Sequence, residues 1–413
     1  MSRSSTTILS SPTMTGQRTW FREDQSGNNI ELLNQDQTVA GNSSFTLVSY
    51  NILAQLYAKH LQVSDPKICD WEQRKERLYQ ELMSYQADII CLQEMDLYRK
   101  YWQSMMKDEG FDSSYVEKTG KRNGCGTFWK RDRFEQVNVL ELHLEELENY
   151  IEKEELGNEK RFARRDAANL TLLKDLQTGK LLLIVNNHLA WDPAYPEVKL
   201  CQMFYILQVA HQWLKKVCQK QGQHHNSIND INSVVSVILC GDYNSLPDSE
   251  VYDLITKGRA QIPGKEIKFN KNSELVCDGV ENVKSSTHSS HHSHSSKQYL
   301  LNPFTPAKSA YFEIYGKEPK FTNYTSTFYG TLDYVFTFNF DWKHGLNTEI
   351  SLKHIENEDQ LKQQHAPQQL QVTDVLGEIS LEQAQEFSFI PSLIFPSDHI
   401  AHCVKFSWIS HNF

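Results

Sequence analysis

Hydrophobic positions fall along this chain in two rhythms. Val234 to Cys240 is an unbroken run of small or apolar residues, rich in β-branched side chains, that stops at Gly241-Asp242-Tyr243-Asn244. A run of this kind bounded by glycine predicts a strand buried on both faces. Phe45–Ser49, Ile89–Leu92 and Leu181–Val185 have the same character. They deliver Tyr50-Asn51, Gln93-Glu94 and Asn186-Asn187-His188 respectively. Thr331–Phe336 and Cys403–Phe406 predict two further strands, the first carrying Asp333. Between these runs the period lengthens to that of a helix. Leu78, Leu82 and Tyr85 follow one another at i, i+4 and i+7, behind Asp70 as N-cap and Gln73 at the reciprocal capping-box position. Pro196 predicts the start of a long helix with Leu200, Phe204, Leu207, His211 and Leu214 on one face.

Strand, polar tip and helix recur in that order, which predicts α/β layering. A buried strand gains nothing from polar residues at one end only, whereas ligands in α/β sheets bind in the crevice beyond the strand ends. Asn51, Glu94, His188, Asp242 and Asn244 are therefore candidates for a shared site. An Asp-x-Asn pair suits a divalent metal, a phosphate or an activated water, and it equally suits a turn. Each residue has a structural reading on its own. Glu94 can be a strand-end acid, Asn51 a turn former, His188 a satisfied core histidine and Asp333 the partner of a lysine.

Composition narrows the setting. With 413 residues the chain can build one large domain or two average ones, and no apolar stretch reaches membrane-spanning length. The segment 1–43 is rich in Ser, Thr, Gln and Asn, has no apolar secretion core and is expected to be a disordered tail before a domain over 44–413. Its arginines at 3, 18 and 22, with no acid before Glu23, give it a faint organelle-targeting character; the cytoplasm is the expected location. Eight cysteines without Cys-x-x-Cys spacing, several inside apolar runs, fit a reduced intracellular compartment. Low-complexity surface loops are expected near 281–298 and 355–372, the first bearing His288, His291, His292 and His294 as possible transition-metal ligands. Net charge is −10, so any nucleic-acid substrate needs local cations. Candidates are Lys118, Lys121 and Arg122; Lys130, Arg131 and Arg133; and Lys160, Arg161, Arg164 and Arg165.

The polar tips, in order, resemble the endonuclease/exonuclease/phosphatase superfamily of metal-dependent phosphodiesterases. The strings that carry the resemblance are Ser49-Tyr50-Asn51-Ile52-Leu53, Leu92-Gln93-Glu94, Asn186-Asn187-His188-Leu189, Gly241-Asp242-Tyr243-Asn244, Leu332-Asp333-Tyr334 and Ser397-Asp398-His399. Six short strings in one order from Val48 to the C-terminus are far more specific than any one of them. Trp191-Asp192-Pro193 with Glu197-Val198-Lys199-Leu200, Asn244-Ser245-Leu246-Pro247, and Phe321-Thr322-Asn323-Tyr324-Thr325 with Phe328 and Gly330 resemble the carbon-catabolite-repression-type deadenylases and their nocturnin and Angel relatives. Asn187 stands where the family usually has Thr, and Tyr243 where it has Phe. No leucine-rich repeats stand before the matching region, so a chain without that docking region is expected.

The resemblance implies a four-layer α/β sandwich: two packed, mostly antiparallel sheets flanked by helices, with the site at one end. It implies Glu94 and Asp398 as ligands of Mg²⁺, for which Mn²⁺ may substitute, and Asn51 near them. Asp242, held by Asn244, would orient and deprotonate a water; Asp333 would fix His399, which with His188 would face the phosphate. Pro193 and Phe328 match positions that sandwich an adenine, with Asn244 at the same substrate. Taken alone, Pro193 reads as a proline that opens a helix and Phe328 as a core aromatic. The implied activity is 3′-to-5′ removal of adenosines from single-stranded RNA, a poly(A) tail, with release of 5′-AMP and with adaptor proteins as partners. The alternatives are an RNA 2′,3′-cyclic phosphatase or a dinucleotide phosphatase using the same site, and an RNA-binding scaffold with a vestigial one.

Overall fold

The computed structural model describes residues 18, 20–23, 29–32, 43–61, 63–152, 161–224, 234–264, 266–270, 279–283, 297–341, 369–386 and 389–409. Strands are numbered in chain order. One eight-stranded sheet runs β2 (Asn29–Leu32), β1 (Trp20–Glu23), β17 (Leu370–Leu376), β18 (His402–Trp408), β3 (Ser44–Asn51), β4 (Ile89–Asp96), β6 (Asn123–Lys130), β5 (Phe111–Glu117). A five-stranded sheet runs β16 (Asp333–Asp341), β10 (Val234–Asp242), β9 (Leu181–His188), β8 (Ala167–Asp175), β7 (Phe134–His143). Only β3 with β4 and β9 with β10 pair in parallel within these two sheets. A small sheet holds β11 (Arg259–Gln261), β13 (Lys297–Leu301) and β12 (Val280–Val283), and β14 (Asn323–Tyr324) with β15 (Tyr329–Gly330) forms a hairpin.

Side-chain alternation explains why the strands read as continuously apolar. On β9, Leu181, Leu183 and Val185 face Leu200, Phe204, Leu207 and Leu214 of the helix Pro196–His224. The intervening Leu182 and Ile184 face the other sheet, where they meet Phe45, Leu47, Ile89, Cys91 and Trp129. Both faces are covered, so both parities are hydrophobic. The eight-stranded sheet does the same: Val48, Tyr50, Ile90 and Leu92 turn outward onto Leu78 and Leu82 of the helix Trp71–Ser84. Asp70 caps that helix by accepting from Gln73 N. Helix, sheet, sheet and helix make the four expected layers.

The row that faces the inter-sheet layer is apolar through Leu47, Cys91, Ile184, Cys240 and Val335. Continued by the two-residue period, it places Ser49 and Asn51 on β3, Gln93 on β4, Asn186 and His188 on β9, Asp242 on β10 and Asp333 on β16. One end of the sandwich interior is thereby polar. The first polar layer is a gasket: Gln93 Nε2 donates to Asn186 Oδ1 at 2.8 Å, and Asn186 Nδ2 donates to the Gly126 carbonyl at 2.9 Å. These bonds pair both amide NH₂ groups and tie the two sheets together beneath the site, while Gln93 Oε1 has no hydrogen-bond partner among the described residues.

The N-terminal expectation needs correction. Trp20 and Phe21 pair with Leu376 and Val375 of β17, β2 pairs on β1, and the buried Arg18 donates to the carbonyls of Gly377 and Ala401 at 2.7 and 2.9 Å. A polar segment hides such a strand, because its hydrogen bonds come from the edge of the sheet and not from its own pattern. The Ser/His-rich stretch of 281–298 is bounded by β12 and β13; its residues 284–296, with the four histidines, lie outside the described residues. Of 355–372, the part to 368 also lies outside them, and Leu370 onward forms β17. Among the described residues no helix is long and apolar enough to cross a membrane.

His402 offers a test of this packing. Its ring lies 4.3 Å from that of Tyr311, and burial first, then the Arg18 charge, lowers its pKa from 6.5 to about 3. Between those values the unfolded chain takes up a proton that the folded one refuses, so stability falls as pH drops through that window. His402→Phe is expected to flatten the acid limb by up to ~1.4 kcal/mol per pH unit. Denaturant unfolding at a series of pH values checks this; an unchanged slope would refute it.

Candidate active site

Asp242 ends β10, and its carboxylate is the meeting point of the site. Asn51 Nδ2 donates to Oδ2 at 2.9 Å, and the Nε2 atoms of His188 and His399 lie 3.6 and 3.7 Å from the same oxygen. The other oxygen accepts the Asn244 backbone N–H at 2.9 Å. This geometry depends on Gly241, whose φ is +139° and where a Cβ would lie 1.9 Å from the Asn187 carbonyl oxygen. Any other side chain would push β10 off β9.

Asp333 pairs with Asp242 across the β10–β16 ladder. Its Oδ2 accepts from His399 Nδ1 at 2.8 Å and from Thr322 Oγ1 at 2.6 Å, while Oδ1 has no hydrogen-bond partner among the described residues. Asp333, His399 and Asp242 thus form a line in which one imidazole bridges two carboxylates. Burial disfavours the charged ring, but Asp333 and Asp242, followed by the Asp333 hydrogen bond and Asp398, hold His399 well above the usual range. His188 is driven the other way, down to about 3, by burial and the nearby Lys118 charge, against the attraction of Asp242. Two histidines on one oxygen are therefore kept in opposite states, one charged and one neutral.

Glu94 and Asp398 form a second pair. Glu94 sits at the irregularity that breaks the β4–β6 register between Leu92 and Met95, with φ +53°, and Oε2 accepts the Ala54 N–H at 3.0 Å. Burial, then the charge of Asp398, raises its pKa to about 7. Asp398 is raised too, by burial, against the opposing pull of His399. Two partly exposed carboxylates that repel each other suit an oxygen-preferring divalent cation, which would relieve the repulsion. Asp242, Asp333 and His399 also come together among the described residues, with one possible ligand atom of each within 4.8 Å of the others. His399 Nδ1 is already bonded to Asp333, so this group is an imidazole held between two carboxylates, an arrangement that can hold or pass a proton.

Several supporting residues have no role that the sequence spells out, although Ser397 and Lys199 stand in the strings that carry the family resemblance. Ser397 Oγ donates to the Asn51 carbonyl at 2.7 Å and accepts the His399 N–H at 3.2 Å. The buried Arg74 donates to the carbonyls of Ile52 and Pro396, tying the loop after β3 to the loop before β18. On an amphipathic helix an arginine reads as solvated. Lys199 Nζ donates to the Asn244 carbonyl at 2.6 Å, and Asn244, with φ +47°, donates through Nδ2 to the Leu189 carbonyl. Thr322 does lie in a quoted string, although its contact with Asp333 was not foreseen. Of the two departures from the family pattern, Asn187 donates through Nδ2 to the Cys240 carbonyl at 2.8 Å, and the Tyr243 hydroxyl is buried with no hydrogen-bond partner among the described residues.

The predicted substrate residues are at the rim. Pro193 is exposed in the turn after β9, and Phe328 is 39 % exposed before β15, so it is no core aromatic. Trp191 beside Pro193 is 67 % exposed. Of the basic clusters, Lys118 and Arg133 are buried, Lys121, Lys130, Arg161 and Arg164 are half-buried, and Arg122, Arg131 and Arg165 are exposed. Lys118 pairs with Asp166 at 3.0 Å, Arg133 with Asp175, Arg161 with Glu197 and Arg164 with Asp192. Arg131 donates to the carbonyls of Lys107 and Phe111. Lys160 lies outside the described residues.

The profile of the Endonuclease/Exonuclease/phosphatase family matches residues 48–399. The chain is 28% identical over 431 residues to the CCR4-Not complex 3'-5'-exoribonuclease subunit Ccr4 of Candida albicans, covering 98% of this chain and 46% of that protein. It is 30% identical over 322 residues to the Carbon catabolite repressor protein 4 homolog 4 of Arabidopsis thaliana, covering 71% and 67%. The chain therefore spans less than half the length of the Candida subunit. Among solved structures, ANGEL2, a 2',3'-cyclic phosphatase, superposes with a TM-score of 0.64 at 19% identity, covering 97% of this chain and 99% of that one. The human Nocturnin catalytic domain with bound sulfate gives 0.54 at 18% identity, covering 97% and 100%. These two show a shared fold.

The relay is open to direct measurement. Asp333→Asn removes the carboxylate that does most to hold His399 charged, so its pKa is expected to fall toward 6.5. Imidazole NMR titration reads this, and a His399 signal that titrates alike in both proteins would rule the relay out.

Proposed function

Since the chain belongs to the Endonuclease/Exonuclease/phosphatase family of nucleases and phosphodiesterases, we propose that it is a Mg²⁺-dependent 3′-to-5′ exoribonuclease. Its proposed substrate is single-stranded RNA ending in poly(A), and its product 5′-AMP. The observation that carries this reading is the convergence of Asn51, His188 and His399 on one oxygen of Asp242, beside the Glu94–Asp398 pair. The exoribonuclease subunits to which the chain is similar support the direction of attack.

In this reading Asp242, oriented by Asn51 and the Asn244 N–H, takes the proton of a water aimed at phosphorus. The water oxygen bonds to phosphorus, the bond to the 3′ oxygen of the preceding nucleotide breaks, and that oxygen leaves to become a hydroxyl. His399 stays protonated between Asp333 and Asp242 and donates to a phosphoryl oxygen as charge develops there. His188, neutral, offers an N–H without adding charge. Glu94 and Asp398 would hold Mg²⁺, or Mn²⁺ in its place, which supplies neutralisation of the phosphoryl and leaving oxygens when bound. Pro193 and Phe328, with Asn244, would hold the terminal adenine. Stacking of this kind contributes about 1–3 kcal/mol per base and is not ionic, which suits a chain of net charge −10. Adaptor proteins would then select the RNA.

Two measurements test this. A 5′-labelled RNA with a 3′ A-tract is expected to give a ladder that stops at the border of the tract, whereas a non-A tail of equal length persists. Release of phosphate from a 2′,3′-cyclic end or a dinucleotide, with the A-tract intact, would favour the alternative substrates instead. Because Glu94 ionises only above about 7, divalent cations should stabilise the protein to heat more strongly as pH rises through that value. Glu94→Gln should abolish this shift, and a shift that survives the substitution would move the cation elsewhere.

A further inference from the structure

The hairpin of β14 and β15 has two faces, and the proposed base clamp uses only one. Phe328 and Leu246 close over Gly330, where a Cβ would lie 2.8 Å from Leu246 Cδ2 and 2.9 Å from Phe328 Cζ. Tyr329 has the opposite parity and is paired across the hairpin with Tyr324. Its ring lies 6.2 Å from that of Tyr324, and the ring of Phe389 lies 5.6 Å from it. Tyr324 is buried, whereas Tyr329 is 60 % and Phe389 46 % exposed. The hairpin is anchored directly to the site: Tyr324 N–H donates to the Asp398 carbonyl at 3.2 Å, and Asn323 bridges to His399. Two exposed rings backed by a buried one, held by the catalytic loop itself, make a fixed apolar step at the mouth of the cleft.

We propose that Tyr329 and Phe389, backed by Tyr324, form a second stacking platform for a nucleobase on the 5′ side of the one held at Phe328. The inference rests on the RNA reading above. An enzyme acting from the 3′ end keeps that end at the scissile phosphate, so the remaining strand leaves toward its 5′ side. A strand that passes over the hairpin from the Phe328 face meets Tyr329 next, because consecutive residues of a strand point to opposite faces. Exposed aromatic rings bind any base through its π-face, with no cation required. The platform would make tail length matter. A strand long enough to cover both faces binds more tightly than one that fills the clamp alone.

The test is the binding of a short A-tract RNA to the full chain, with EDTA present to prevent turnover. 2-Aminopurine is placed either at the 3′ terminus or at successive positions on its 5′ side. With the parent protein, quenching is expected at the terminus and again at a 5′ position. The double variant Tyr329→Ala/Phe389→Ala should lose the second quench and bind about five- to a hundred-fold more weakly. It should keep the terminal quench and, with Mg²⁺ in place of EDTA, the rate on a dinucleotide whose 5′ residue is abasic and so offers the platform no base. Tyr329→Phe, which retains the ring, should bind as the parent does. Unchanged affinity and unchanged 5′ quenching in the double variant, while the parent still shortens A-tailed RNA, would overturn the platform and leave the proposed activity standing; that face would then serve another partner, such as a protein. A parent that neither binds nor shortens the RNA would overturn both.

Discussion

The carboxylate of Asp242 is the constraint to which the rest of the molecule answers. A buried carboxylate is costly unless its oxygens are satisfied, and here the donors come from distant parts of the chain: Asn51 from β3, the Asn244 amide from the loop after β10, and the two imidazoles from β9 and the segment before β18. Satisfying it requires that the two sheets be packed with the polar ends of β3, β9, β10 and β16 together. The Gln93–Asn186 gasket ties the sheets together there, and Gly241 permits the close pairing of β9 with β10. Site and fold are thus the same problem of burying one charge.

That coupling also decides what could be read in advance. Two-sided burial makes β9 and β10 uniformly apolar, so a polar residue at their ends stands out; His188 and Asp242 were legible for that reason. The capped helix at Asp70 and the long helix from Pro196 were legible from periodicity and cap chemistry. The strands β1 and β2 were not, since four residues each are too few to show a period and the ladder that holds β1 between β2 and β17 is made by backbone groups. Arg74 was invisible too. Its partners are carbonyls of Ile52 and Pro396, and backbone acceptors leave no trace in a sequence. The ion pairs of Lys118, Arg161 and Arg164 were not legible either, because their partners Asp166, Glu197 and Asp192 are near only after folding.

Electrostatic asymmetry is the second theme of the site. His399 and His188 face one oxygen, yet the first is held charged by two carboxylates and the second is kept neutral by burial and Lys118. Glu94 and Asp398, by contrast, repel each other and remain partly exposed. One half of the cleft sets imidazoles against carboxylates, and the other sets two carboxylates against each other. The first half suits moving and holding protons; the second suits a cation and the phosphate it would accompany.

The position of β18 has a consequence for how the protein is made. This strand lies between β17 and β3, and Ser397 just before it reaches Asn51 across 346 positions of chain. On the ribosome, everything up to β16 can be synthesised while β3 still lacks that neighbour and Asp242 still lacks His399. The set of groups around Asp242 therefore stays incomplete until the segment before β18 is made and β18 enters the sheet, so closing the site depends on contacts of long sequence separation.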